Sequence, residues 1–276
     1  MDALRRLGKI LVSGVLFSLL GLGGILLSLM VLPVLASLPG GPERRRMRAR
    51  RLIHHLFRAF VFALEASGIL RVEALDLPGP EGLRGRLILA NHPGYLDVVV
   101  IIALIPDAVC VVKEGVWNSL FFGRIVQEAG FVRNLDPERC LQHASEALQR
   151  GDAMILFPEG TRSAPVGPLR FRRGAAHVAL LSRAEILPLI VTCEPPLLEK
   201  GRRWYHIPNR TCLYRVRAQA PIVLPTESLG DLPPLLAARQ ISKALEAQFN
   251  GWLLGIRATP LGEPQAENQC PVEPPS

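Results

Sequence analysis

The sequence predicts an α/β fold: a mixed, largely parallel central sheet flanked by helices, preceded by an N-terminal membrane-embedded helix or helical hairpin. Three observations predict it. Short apolar runs alternate with helical patterns from residue 69 onward, which is the signature of strand–helix–strand units. Two of those runs end in turns dense with polar groups, at 91–97 and 157–163, and strand ends are where α/β sheets bind ligands. Residues 10–38 carry no charged side chain, a stretch long enough for a membrane helix.

The uncharged run comes first. As a helix, 10–32 would extend about 34 Å, enough to cross the hydrocarbon core. A signal peptide competes with this reading, but the run is long for one and no clear small-x-small cleavage site precedes a polar segment. Pro33 and four glycines (Gly14, Gly21, Gly23, Gly24) leave a straight span and a re-entrant hairpin both open. Arg5, Arg6 and Lys9 flank one side; Arg44, Arg45, Arg46, Arg48, Arg50 and Arg51 flank the other. The heavier positive flank belongs in the cytoplasm, so the rest of the chain is expected at the inner face of the cell membrane.

The arginine cluster opens a second element, 44–68. Met47, Leu52, Ile53, Leu56, Phe57, Phe60, Val61 and Leu64 recur mostly at three- and four-residue steps. This basic amphipathic helix suits an anionic bilayer surface. The alternative is a helix packing its stripe on the domain and exposing its arginines. His54 and His55 read as solvated. The expected organisation is a membrane segment at 1–43, this interfacial helix at 44–68, a catalytic domain at 69–256 and a Pro-rich disordered tail at 257–276.

Within the domain, strand-like runs lie at 70–74, 87–90, 108–113, 153–157, 186–192 and 212–218. Asp136 followed by Pro137 starts a helix that Gly151 stops. Residues 172–183 form another helix, and 235–254 an amphipathic closing helix. The Pro-, Lys- and Arg-containing stretch 194–209, with Trp204 and Tyr205, is an edge loop or a membrane-facing flap. No internal repeat is present.

Composition narrows the partners. The net charge is +8 and the pI about 9.8, which fits an anionic partner. With 6% aromatic residues and no zinc-finger or RNA-binding signature, no nucleic-acid partner is expected. Cys110, Cys140, Cys193, Cys212 and Cys270 are scattered and odd in number. No CxxC and no Cys/His cluster of zinc spacing occurs, so no metal is expected and the thiols read as reduced, cytosol-facing core fillers.

The chemistry concentrates in two turns. Asn91-His92-Pro93-Gly94-Tyr95-Leu96-Asp97 follows the apolar run 87–90 and precedes another, 98–104. Asp97 can hold one ring nitrogen of His92 and leave the other free to take a proton, which makes a general base near neutral pH. Alone, the pair reads equally well as a solvated loop histidine beside a helix-capping aspartate. The second turn, Phe157-Pro158-Glu159-Gly160-Thr161-Arg162-Ser163, repeats the layout. Gly160 permits close backbone approach, and Arg162 carries a planar fork suited to phosphate. Its bland alternative is an ordinary turn with a Glu–Arg pair. His177 reads as a packed core residue, and His143 and His206 as solvated.

Together, NHxxxxD and FPEGTRS at two strand ends resemble the PlsC-like lysophospholipid acyltransferases of glycerolipid metabolism. Lys113-Glu114 with Phe121-Phe122-Gly123 looks like the lead-in to that family's second block. Phe171-Arg172-Arg173-Gly174-Ala175-Ala176 looks like the stretch after its PEGTR, and Ile186-Leu187-Pro188-Leu189-Ile190 like its fourth block. The likeness spans about residues 44 to 225. One departure occurs: Gly130-Phe131-Val132-Arg133 lacks the residue usually found between the apolar stretch and the arginine, which bears on the acceptor lipid.

The resemblance implies acyl transfer from a thioester of acyl carrier protein or coenzyme A, without a further cofactor, to a hydroxyl of a membrane lipid such as 1-acylglycerol 3-phosphate. It implies His92 as base and Asp97 as its orienter. Glu159, Gly160, Thr161 and Arg162 would form the acceptor site, with Lys113, Arg133 and Arg173 as further cations. No Ser or Cys lies in a nucleophile-elbow sequence, so no acyl-enzyme is expected. The alternatives are the same chemistry on a non-glycerophosphate acceptor (an amino-acid lipid or an aryl-polyene-type lipid), and an inactive membrane-anchored scaffold.

Overall fold

The structure, a computed structural model, describes residues 2–203, 205–224 and 232–258. The uncharged run is one helical rod, not a hairpin within itself. Helix α1 (Asp2–Leu26) passes through a π-helical turn at Leu27–Val31 into α2 (Leu32–Ser37). Pro33 sits at the start of α2 and has no N–H for the preceding turn, a common cause of such a widening. The segment Arg6–Leu35 is long and apolar enough to cross a membrane, with mean hydropathy 2.5.

The chain then reverses into α3 (Gly41–Ala66), which lies beside the rod. Phe17 meets Phe60 edge-on, with 5.5 Å between ring centroids. The opposite ridge of the rod, including Leu7, Leu11, Val15, Leu19, Leu22 and Leu26, is exposed. The stripe of α3 is used differently from the interfacial expectation. Ile53, Phe60, Val61 and Leu64 are buried in the main core, and only Met47 of the eight stripe residues is exposed. Several of its arginines are also engaged within the protein. Arg45 pairs with Glu128, Arg51 with Asp107, and Arg48 donates to the Leu38 and Pro39 carbonyls. Arg50 is buried and donates to both oxygens of Asp152, at 2.6 and 3.2 Å, and to the Ala129 carbonyl at 2.8 Å. His54 is buried too, not solvated. Its Nδ1 lies 2.8 Å from the Ile102 carbonyl, so Nδ1 carries the proton.

The domain follows in order as β1 (Leu70–Leu75), α4 (Pro80–Leu83), β2 (Leu87–Ala90), α5 (Asp97–Leu104), β3 (Val109–Lys113), α6 (Glu114–Trp117), α7 (Gly123–Glu128), β4 (Val132–Asn134), α8 (Pro137–Gln149), β5 (Met154–Leu156), α9 (Gly174–Ser182), β6 (Ile186–Glu194), β7 (Cys212–Ala218) and α10 (Pro234–Ala258). The seven strands form one sheet in the order β1-β7-β6-β2-β5-β3-β4. Only β6 and β7 pair antiparallel. This is the mixed, largely parallel sheet the sequence predicts.

All six expected strands are present. The central runs β2, β5 and the first half of β6 are continuously apolar because central strands are covered on both faces, and every residue of β2 is fully buried; β1 and β7, at one side of the sheet, alternate instead. Asp136 caps α8 as read, accepting from the Glu138 and Arg139 amides. Two elements carry no readable signal in the sequence. The apolar run 98–104 is helix α5, buried between sheet and α3, and a helix apolar on nearly all sides shows no 3.6-residue period. Strand β4, three residues long, was too short to read. Trp204 and the tail at 259–276, expected to be disordered, lie outside the described residues.

Candidate functional site

Strand register builds the site. β2 and β5 are adjacent and parallel, with Leu89 opposite Leu156. His92 and Glu159 each lie three residues beyond those partners, so the two turns emerge side by side at the C-terminal edge of the sheet. On the other flank, Asn91 acts as a backbone mimic. Its amide donates to the Val191 carbonyl at 2.8 Å and accepts from the Val191 N–H at 2.7 Å, locking the motif turn to β6.

Asp97 opens α5 and is completely buried. Its Oδ2 lies 2.6 Å from His92 Nδ1 and accepts from the Gly94 N–H at 2.8 Å. A carboxylate only accepts, so Nδ1 carries the ring proton and Nε2 keeps its lone pair. The His92 ring stacks on Phe157, 4.3 Å between centroids and 25° from parallel. Its side chain is about one-fifth exposed, at 20%. Burial pushes the Asp97 carboxyl up to about 6, against the opposing pull of His92 and the Gly94 N–H. Its Oδ1 is buried without a hydrogen-bond partner, which is the physical source of that push.

Gly94 is required by close approach. A Cβ there would stand 2.9 Å from the Leu197 carbonyl, because the 194–209 stretch packs directly on the motif turn. Gly94 bridges Glu199, and the Tyr95 N–H donates to the Leu198 carbonyl at 3.3 Å. The stretch is therefore a wall of the site rather than a free edge loop, with Leu197, Leu198 and Ile207 buried beneath it. Lys9 donates to the Asn209 carbonyl at 3.1 Å and ties this wall to α1.

The second turn divides its residues between two tasks. Gly160 has φ +66°, a conformation that favours glycine, and the stem of Arg172 lies across it. Arg162 stacks on Tyr95, 3.6 Å from guanidinium carbon to ring centroid, and donates to the Tyr95 hydroxyl at 2.9 Å and the Glu199 carbonyl at 3.2 Å. Thr161 is half-buried beside it. Glu159 points inward instead. It is buried, at 6% exposure, and its Oε1 accepts from the His92 N–H at 3.1 Å and the Ser163 hydroxyl at 2.6 Å. Burial pushes its carboxyl up as well.

The remaining expected cations are less central. Lys113 and Arg133 end β3 and β4 on the same sheet edge, two and three strands from β2, roughly 10 to 15 Å away at the usual strand spacing. Arg133 is engaged by Glu114 at 2.7 Å, while Lys113 is exposed. Arg173 is exposed at the start of α9. Its neighbour Arg172 is the one that reaches the turn, its N–H donating to the Pro158 carbonyl at 2.8 Å. Tyr95, Ser163 and Glu199 are functional neighbours that sequence reasoning missed. Tyr95 and Ser163 lie inside the two motifs, and only adjacency to the base and to Arg162 could have marked them.

Residues 77–192 match the family described as Acyltransferase. The chain is 30% identical to a 1-acyl-sn-glycerol-3-phosphate acyltransferase of Limnanthes alba over 156 residues, 53% of each chain. It is 29% identical to that of Neisseria gonorrhoeae over 170 residues, 56% of this chain and 65% of the other. A coconut (Cocos nucifera) protein of the same name is 31% identical over 127 residues, 41% of its length. The chain thus spans about half the length of several curated relatives. In three dimensions it resembles the crystal structure of the 1-acyl-sn-glycerophosphate (LPA) acyltransferase PlsC from Thermotoga maritima, with TM-score 0.68, 19% identity, and coverage of 94% of this chain and 99% of that one. At that identity the likeness shows the fold.

Proposed function

Because the chain belongs to the PlsC-like acyltransferase family, we propose that it moves a fatty acyl group from an acyl thioester, carried by acyl carrier protein or coenzyme A, to a hydroxyl of a lysophospholipid such as 1-acylglycerol 3-phosphate, giving phosphatidic acid. The observation that carries this reading is the buried Asp97 holding Nδ1 of His92 at 2.6 Å. His92 Nε2 takes the acceptor hydroxyl proton as that oxygen attacks the thioester carbonyl. The tetrahedral intermediate expels the thiolate, which recovers the proton from the imidazolium. Asp97 keeps the tautomer and offsets the imidazolium charge. The exposed apolar ridge of α1 enters the bilayer and brings the site to its lipid substrate, with the positive flank on the cytoplasmic side.

Arg162 takes the acceptor phosphate. Arg162→Ala is expected to raise the KM for 1-acylglycerol 3-phosphate about 10- to 100-fold, the value of one or two charge-assisted hydrogen bonds, while leaving kcat within a fewfold. Steady-state kinetics in mixed micelles checks this. A second reading, an acceptor without phosphate, draws on the fact that both terminal nitrogens of Arg162 already have partners in Tyr95 and Glu199. It predicts an unchanged KM in the variant and better turnover of a phosphate-free lysolipid.

The pH dependence follows from Asp97. Its carboxyl, raised to about 6, takes a proton below that pH and stops accepting from Nδ1–H. Turnover should therefore fall as pH drops through about 6. Stability moves the opposite way. The folded state holds this proton more tightly than the unfolded chain, so the stabilisation from this group is full below about 4 and is lost as pH rises through about 6. Asp97→Asn should accordingly melt no lower than wild type at pH 7 while losing most activity. Melting and kcat measured on one preparation separate the two, and an Asp97→Asn protein with wild-type turnover would contradict the assignment.

A further inference from the structure

His92 follows a strand and stands on a turn, where a residue is free to rotate both flanking peptide planes unless its N–H and C=O are held. Both are held here, and from the other motif. The His92 N–H is shared between Glu159 Oε1 at 3.1 Å and Ser163 Oγ at 3.2 Å. The His92 carbonyl accepts from the Ser163 N–H at 2.7 Å. The loop closes on itself because the Ser163 hydroxyl donates to the same Glu159 oxygen at 2.6 Å. Ser163 and Glu159 are buried, at 8% and 6% exposure, where hydrogen bonds are strong and a lost partner is costly.

We propose that Ser163 and Glu159 are positioning residues that fix the backbone of His92, so that the acidic residue of the second motif acts on the base rather than on the acceptor. The ring is already confined by Asp97 at Nδ1 and by Phe157 across its face. The clamp removes the remaining freedom, the rotation of the peptide planes that carry the ring. Ser163 serves twice, since its hydroxyl both accepts from His92 and aims Glu159. Without that hydroxyl, Glu159 loses its shortest hydrogen bond and the His92 N–H loses one of its two acceptors. A base displaced by about an ångström can lose on the order of 10²-fold in rate. The inference rests on the acyl-transfer reading above.

The test is steady-state acyl transfer by full-length Ser163→Ala, Ser163→Thr and Ser163→Val, with 1-acylglycerol 3-phosphate as acceptor and melting temperatures alongside. Wild-type transfer that His92→Ala abolishes is established first. Its absence sinks the acyl-transfer reading itself and not the clamp. Given that activity, Ser163→Ala should lose about 10- to 100-fold in kcat with the acceptor KM within twofold. Thr and Val have nearly the same shape, and only Thr keeps the hydroxyl. Ser163→Thr should therefore recover most of the lost kcat, and Ser163→Val should not. The proposal is overturned by a Ser163→Ala kcat within twofold of wild type, by a loss that falls on acceptor KM, or by equal impairment in the Thr and Val variants. Loss of the fold in all three also overturns it, because the group would then be structural rather than positioning.

Discussion

Replacing His92 with Ala is expected to lower acyl-transfer turnover by about 10³-fold, the middle of the range for a general base, equivalent to ~4 kcal/mol of transition-state stabilisation. Among the described histidines only His92 is paired with a carboxylate. His54 donates its Nδ1 proton to a helix carbonyl inside the core, and His143 and His206 are exposed on α8 and on the wall segment. The protein itself should survive. The His92 side chain sits at a turn and is 20% exposed, and Asp97, left without its ring partner, keeps the Gly94 N–H and can take up a proton in place of the lost pair. The variant is therefore expected to melt within a few degrees of wild type and to bind acceptor normally. Single-turnover acyl transfer, with melting as the control, checks both halves. Turnover within tenfold of wild type would remove His92 from the chemistry.

The second large effect is on stability and lies far from the site. Arg50 is 7% exposed and its partner Asp152 15%, and the pair joins α3 to the turn before β5. Arg50→Ala leaves a largely buried carboxylate with only Arg150 at 3.5 Å and strips a donor from the Ala129 carbonyl. Breaking such a pair costs about 3 kcal/mol, which for a domain of this size is roughly 10 °C in Tm. Removing both charges should be milder, so Arg50→Met with Asp152→Leu is expected to melt above Arg50→Ala. A Tm for Arg50→Ala within 2 °C of wild type would mean that the pair is as weak as a surface bridge.

What could be read from the chain, and what could not, divides along sequence distance. The central strands were legible as short, wholly apolar runs and β1 and β7 as alternating ones, and the two turns because each packs Gly, Pro and charged residues into seven positions. The His92–Asp97 pair spans five residues and was legible for that reason. The partners of the α3 arginines lie 83 and 102 residues away for Arg45 and Arg50, and no local pattern reveals them; a basic helix bound for a membrane and one clamped to its own domain look alike in sequence. Glu159 shows the same limit at the site. The family resemblance implied an acceptor contact for it, but the register of β2 on β5 turns it toward His92, and register is a property of the assembled sheet. Helix α5 was not legible for a different reason, since an apolar run covered on all sides carries no period to distinguish helix from strand.

The most direct measurement follows the acyl group. Purified full-length protein in lipid micelles is given a ¹³C-labelled acyl thioester and 1-acylglycerol 3-phosphate, and the lipids are resolved by mass spectrometry. The expected result is labelled phosphatidic acid from wild type and almost none from His92→Ala. Labelled phosphatidic acid formed equally by both proteins, or no label transferred to this or any other hydroxyl acceptor, would contradict the account.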